Sequence, residues 1–204
     1  QQGRPSLKEL AVALVRRADD LVRKDLQGRG ATTLVMLLAT ASGYLVCANV
    51  GDSRAYSWDP GSSKLDQVTI DDTIENDLKD IPGNHAALLK ARGLQGRLSQ
   101  AIGESGRTAD ELRIQTYTKE RFRLGAVLGS DGLWRAARDF ETAVANSATP
   151  TDAVRRAIAL ANWVGGVDNA SLIAVGDVER LCGGRQAQAS AGRRQTEIAM
   201  WSSS

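Results

Sequence analysis

Apolar residues follow two different periods along this chain. From Leu7 to Leu26 they recur at helical spacing: Leu7, Leu10, Leu14, Ala18, Leu21 and Leu26 form one stripe, with Arg16, Arg17, Asp19, Asp20, Arg23 and Lys24 mostly off it. Pro5-Ser6 with Glu9 three residues on reads as a capping box, in which the Ser6 hydroxyl accepts from the N–H of residue 9 and Glu9 reaches back. The pattern predicts an amphipathic helix over about Leu7–Leu26, ended by Gly28-Arg29-Gly30. A strand period follows. Thr32–Ala41, Tyr44–Val50, Arg54–Trp58 and Lys64–Val68 are apolar or β-branched runs separated by short turn sequences, among them Gly51-Asp52-Ser53 and Asp59-Pro60-Gly61. Consecutive strands joined by tight turns predict an antiparallel meander.

Residues 71–100 are polar, with short helices predicted over Thr73–Leu78 and Ala86–Ala91. Leu112–Thr118 alternates, Leu124–Gly129 is an apolar run suited to a buried strand, and Ser171–Val175 is the last predicted strand. Before it, Thr149 as cap and Pro150 at the first helical position open a second amphipathic helix, stopped by Gly165-Gly166. Gly, Ala, Gln, Ser and Arg dominate from Leu181 on. The pattern therefore gives an α+β domain over residues 1–178, with helices flanking an antiparallel sheet pair, and a flexible tail over 179–204.

Composition narrows the function classes. The 204 residues are 42% hydrophobic and 25% charged, enough for one domain with a real core and too apolar for general disorder. No run approaches the ~18 apolar residues of a membrane span, so no membrane partner is expected. A net charge of +2 and 4% aromatics give neither a basic stripe nor stacking platforms, so no nucleic acid is expected. Cys47 lies in a strand-like run and Cys182 in the Gly-rich tail, without CxxC spacing; one buried and one exposed free thiol suit a reducing compartment. With no signal peptide visible, the cytoplasm is the expected location. His85, the only histidine, sits in a Pro-Gly-Asn loop, which discounts a Ser-His-Asp triad and a His-rich zinc site. The chain begins Gln1-Gln2 without Met, and the expectation is a piece of a longer protein.

Three acidic turns carry the chemistry. Gly51-Asp52-Ser53-Arg54, Ser130-Asp131-Gly132 and Val167-Asp168-Asn169 each adjoin an apolar strand. Singly they are ordinary turn pairs. Together, carboxylates at strand ends of a rigid sheet can converge on one rim, and oxygen ligands without His or Cys suit Mg²⁺ or Mn²⁺.

The arrangement resembles a known family. Gly30-Ala-Thr-Thr33, Ala48-Asn-Val-Gly-Asp-Ser-Arg-Ala-Tyr56, Leu98-Ser-Gln-Ala-Ile-Gly103, Leu128-Gly-Ser-Asp-Gly-Leu-Trp134 and Val167-Asp-Asn-Ala-Ser171 occur in this order. The series is similar to the metal-dependent Ser/Thr protein phosphatases of the PPM (type 2C) family, in a bacterial-looking form. The resemblance implies an αββα sandwich. It implies that Asp131 and Asp168 ligate a first catalytic metal and that Asp52 helps hold a third, looser one. Mn²⁺ or Mg²⁺, two or three ions in a complete domain, would be the cofactor. The implied substrate is a phosphorylated protein, the product of a Ser/Thr kinase, hydrolysed by a metal-activated water. Two metals serve such a reaction because one activates the nucleophile and both offset charge on the phosphoryl oxygens. Thr32, Thr33, Ser99 and Gly103 match motifs of structural character.

The departures bear on activity. The family's early acidic motif, and the Asp-Gly pair whose Asp bridges both metals, have no counterpart here; no Asp-Gly precedes Asp131. Asp71-Asp72 stands where many members have Asp-His. Arg135 stands where an acidic residue is common, and it can repel a metal, pair with Asp139 or meet substrate phosphate. Two readings stay open: a phosphatase domain whose N-terminal motifs lie upstream, and a catalytically inactive pseudophosphatase serving as a binding or regulatory module.

Overall fold

Ser6 opens the first helix, α1 (Leu7–Asp25), through the capping box read from the sequence: Ser6 Oγ accepts from Glu9 N at 3.2 Å and Glu9 Oε2 accepts from Ser6 N at 2.7 Å. The computed structural model describes residues 5–135, 139–166, 168–183 and 198–202. α1 is turned away from its leucine stripe. Ala11, Val15 and Asp19 are buried, with Leu7 and Val22 packed beside them, whereas Leu10, Leu14, Leu21 and Leu26 are exposed. Asp19 sets this rotation. Its carboxylate accepts from Gly103 N at 2.7 Å, from two Arg107 nitrogens at 2.9 and 3.2 Å, and from Arg23. Hydrogen bonds to a charged group contribute about 1.5–3 kcal/mol each, as much as burying a leucine side chain. A polar anchor outweighs the apolar stripe.

The strands are β1 (Leu34–Ala39), β2 (Leu45–Val50), β3 (Arg54–Asp59), β4 (Lys64–Gln67), β5 (Gln115–Thr118), β6 (Gly125–Gly129), β7 (Ser171–Val175) and β8 (Ile198–Ser202). Among the described residues they form a three-stranded sheet, β1-β2-β5, and a five-stranded sheet, β4-β3-β6-β7-β8, antiparallel throughout. The expected meander is broken in the middle. β1-β2 and β3-β4 are hairpins, but β2 and β3 lie in different sheets. Gly51-Asp52-Ser53 is thus a crossing between layers. Gly51 has φ +96°, and a Cβ there would sit 2.4 Å from the Thr33 Cγ2 methyl, so only glycine makes the bend.

Further helices are α2 (Ile74–Leu78), α3 (His85–Ala91), α4 (Asp131–Trp134), α5 (Phe140–Ala145), α6 (Pro150–Trp163) and α7 (Val178–Leu181). Strand alternation sorts the apolar side chains into three layers. Val46, Ala48 and Val50 face α1. Leu45 and Cys47 face Ala55, Ala126, Leu128 and Val175 across the space between the sheets. Tyr56, Trp58, Val127, Leu172 and Ala174 face α5 and α6. The order of layers is helix, sheet, sheet, helix, the αββα sandwich within an α+β class.

Residues 179–204, expected as tail, contain most of α7 and all of β8, which pairs with β7 from Ser171↔Ser202 to Val175↔Ile198. Residues 184–197 and 203–204 lie outside the described residues. Cys182, expected exposed, is buried in the layer between the sheets because α7 carries it there. Both cysteines are free, and burial pushes the Cys47 thiol up to about 12, which leaves it un-ionised and unreactive. Among the described residues no helix is long and apolar enough to cross a membrane.

Candidate functional site

The turn carrying Asp52 is fixed from several sides. The Asn49 side chain is buried, and its amide, oriented so that nitrogen faces carbonyls, donates to Ser53 O at 2.8 Å and Leu34 O at 3.1 Å. Gly51 N donates to Asp72 Oδ2 at 2.9 Å, and Asp72 N donates to Gly51 O at 3.0 Å. Asp72 Oδ1 accepts from Gln115 Nε2 at 2.8 Å and Arg113 Nη2 at 3.2 Å. The neighbouring Asp71 accepts from Arg54 Nε at 2.9 Å and Nη2 at 2.7 Å, while the Arg54 guanidinium lies 3.4 Å from the centroid of the Trp134 ring. Asp71-Asp72, read from the sequence only as a departure, is therefore the clamp on the Asp52 turn. The motif residues are structural too. Thr33 Oγ1 and Ser53 Oγ are 2.7 Å apart, Thr32 and Ile102 exchange backbone hydrogen bonds, Ser99 N donates to Asp72 O, and Gly103 N donates to Asp19.

β6 delivers the second acid. Its last residues run into Ser130 and α4, whose first residue is Asp131. Ser130 N donates to Ser171 O at 3.1 Å and Ser130 Oγ accepts from Ser171 N at 2.9 Å, tying this end of β6 to the start of β7. Gly132 lies against the chain that carries the third acid: a Cβ on it would be 2.3 Å from Asn169 O. Asp168 is exposed, and its Oδ1 accepts from Asn169 N at 2.7 Å. The turns of Asp131 and Asp168 therefore touch through backbone. Among the described residues Arg135 makes ion pairs with Asp52 and Asp131 and none with Asp168.

Arg135 joins the other two. Its Nη2 is 2.6 Å from Asp52 Oδ2 and its Nη1 is 3.6 Å from Asp131 Oδ2. The Asp52 side chain is 5% exposed and that of Arg135 47%, so a nearly buried acid is met by a half-exposed base. Burial, and next the negative charge of Asp131, push the Asp52 carboxyl above its ordinary value, with the Arg135 charge opposing them. Of the partners read for Arg135 from the sequence, Asp139 is not the one bound.

Hard divalent cations need several oxygen ligands around one point. Here two carboxylates converge, a guanidinium occupies the position between them, and among the described residues no group of three or more His, Cys, Asp or Glu is placed to hold a metal. In this arrangement the residues do not fit Mn²⁺ or Mg²⁺. Beside Arg135 opens a cleft of about 500 Å³, lined by Arg54, Asp71, Glu75, Asn76, Gly96 and Trp134 among others.

No family model matches the chain, and no curated protein matches it. Solved structures do. The PPM Ser-Thr phosphatase MsPP from Mycobacterium smegmatis, in complex with cacodylate, is 25% identical, covering 82% of this chain and 72% of its own, with a TM-score of 0.64. The Mycobacterium tuberculosis serine/threonine phosphatase PstP/Ppp is also 25% identical, covering 84% of this chain and 72% of its own, with a TM-score of 0.62. The catalytic domain of PstP in complex with two manganese ions is 24% identical, covering 85% and 72%, with a TM-score of 0.59. The fold of this chain is that of the PPM Ser/Thr phosphatases, as its motif series implies.

Proposed function

We propose that the chain forms the larger part of a protein phosphatase domain acting on phospho-Ser and phospho-Thr proteins. The observation that carries this reading is the meeting of Asp52 and Asp131 on one rim, in a fold otherwise found here in phosphatases. Sequence distance separates these acids widely, and only this sandwich brings them to a common cation. In a domain that also supplies the bridging acidic motif, and with Arg135 off the rim, Asp131 and Asp168 would ligate a first Mn²⁺ or Mg²⁺ and Asp52 a looser one. The test is phosphate release from a phosphoserine peptide by the full-length protein with Mn²⁺. Asp131→Asn is expected to cut turnover at least ~100-fold, the scale of removing one preorganised charge-stabilising group, without lowering the melting temperature. Normal turnover by Asp131→Asn would defeat the assignment.

A second reading, a pseudophosphatase used as a binding module, is favoured by the Asp52–Arg135 pair, which satisfies the rim without metal. It is distinguished by phosphopeptide binding without phosphate release and by the absence of heat on Mn²⁺ titration while the fold stays intact.

A further inference from the structure

We infer that Arg135 is the resident cation of the acidic rim: its guanidinium, bound to Asp52 and facing Asp131, keeps a divalent ion out of that pair, so that metal enters only when Arg135 leaves. This rests on the reading of the rim as the phosphatase site, and goes further by naming the residue that decides its occupancy.

The charge balance supports it. Two carboxylates and one guanidinium leave the pair with a single net negative charge, and the guanidinium bonds an oxygen of Asp52 and lies 3.6 Å from one of Asp131. A dication on the same oxygens would stand within about 4 Å of a positive charge, in a site where Asp52 is nearly free of solvent and repulsion is poorly screened. The competitor is also tethered. Arg135 caps the short α4, its N donating to Asp131 O at 2.9 Å, four residues along from the acid it faces. A group fixed on the same element acts at a high effective concentration, and dissolved metal must outcompete it.

The guanidinium is half exposed and borders the cleft whose wall includes Gly96, where a Cβ would lie 3.6 Å from Arg135 Nη2. Glu75, on the same wall, accepts from Gly96 N at 2.9 and 3.0 Å, and Asp71 lies beside it.

The experiment is a Mn²⁺ titration of the chain, read by the electron paramagnetic resonance of free Mn²⁺ and by the melting temperature. Arg135→Ala and the length-preserving Arg135→Gln are expected to bind Mn²⁺ at least ~10-fold more tightly than the parent. Arg135→Lys, which keeps the charge, stays close to the parent, and Asp52→Asn combined with Arg135→Gln removes the gain. Without metal, Arg135→Gln melts below the parent, and Mn²⁺ restores it. Mn²⁺ binding by the parent as tight as by Arg135→Gln overturns the inference, as does a gain that survives in the double variant. The two readings fail separately. A Mn²⁺ gain without phosphopeptide turnover sinks the phosphatase reading alone, and normal turnover with Mn²⁺ affinity indifferent to residue 135 sinks this inference alone.

Discussion

At the scale of single residues, two buried acids answer opposite demands. Asp52 lies next to another carboxylate, and its proton is held more tightly than usual; Asp19 is buried as deeply, yet its carboxyl stays below the ordinary range. Burial pushes Asp19 up, and the hydrogen bonds from Arg107 and Gly103, with the charges of Arg107 and Arg23, push it down further. Its folded value lies under its unfolded one. The stabilisation is therefore complete above the unfolded carboxylate value of about 3.9 and fades as pH falls through the folded value. Asp19→Asn is expected to cost about 3 kcal/mol at pH 7, as breaking a buried ion pair does. That is a melting shift of roughly 6–12 °C, narrowing toward pH 3; thermal scans at both pH values check it, and an equal loss at each would refute the ionic account. The three acidic turns were legible in the sequence because each interrupts an apolar run. Their partners were not. Arg113 and Gln115 reach Asp72 from 41 and 43 residues away, and Asp52 finds Arg135 across 83, distances at which no local pattern operates.

At the scale of elements, period and capping located most helices and strands, since Ser6, Thr149 and Pro150 act on their own neighbours. Facing was another matter. The leucine stripe of α1 suggested the wrong buried side because the sheet accepts Ala11 and Val15 under an ionic anchor. Two substitutions test this. Leu14→Gln, on the exposed side, is expected to change stability by less than about 0.5 kcal/mol. Ala11→Leu, which adds volume against the first sheet, is expected to cost about 1–3 kcal/mol. Urea unfolding of both variants measures the contrast, and the reverse order would restore the leucine stripe to the interior. The β2–β3 link misled for a related reason. A Gly-Asp-Ser turn has the same local chemistry whether it closes a hairpin or passes between sheets, and here it is held by partners distant in sequence, Asp72 on the Gly51 amide and Thr33 against Gly51.

At the scale of the whole molecule, the sandwich was readable from the order of five motifs, and its three apolar layers follow from strand alternation once the sheets are assigned. The strand β8 was not, because its pairing with β7 depends on a partner many residues upstream rather than on any signal in its Gly- and Ala-rich surroundings. The Asp52 turn has the form of a surface loop, yet its Gly51 amide is held by a carboxylate that is 2% exposed, and the reverse backbone bond closes the ring. Loops of that shape ordinarily trade their amide protons with water through small local openings, while core strands wait for global unfolding. Here the Gly51 amide should exchange with deuterium as slowly as the centres of β2 and β6, and Asp72→Ala should bring it back to loop speed. Time, measured by hydrogen exchange, would then mark the Asp52 side of the acidic rim as part of the rigid interior.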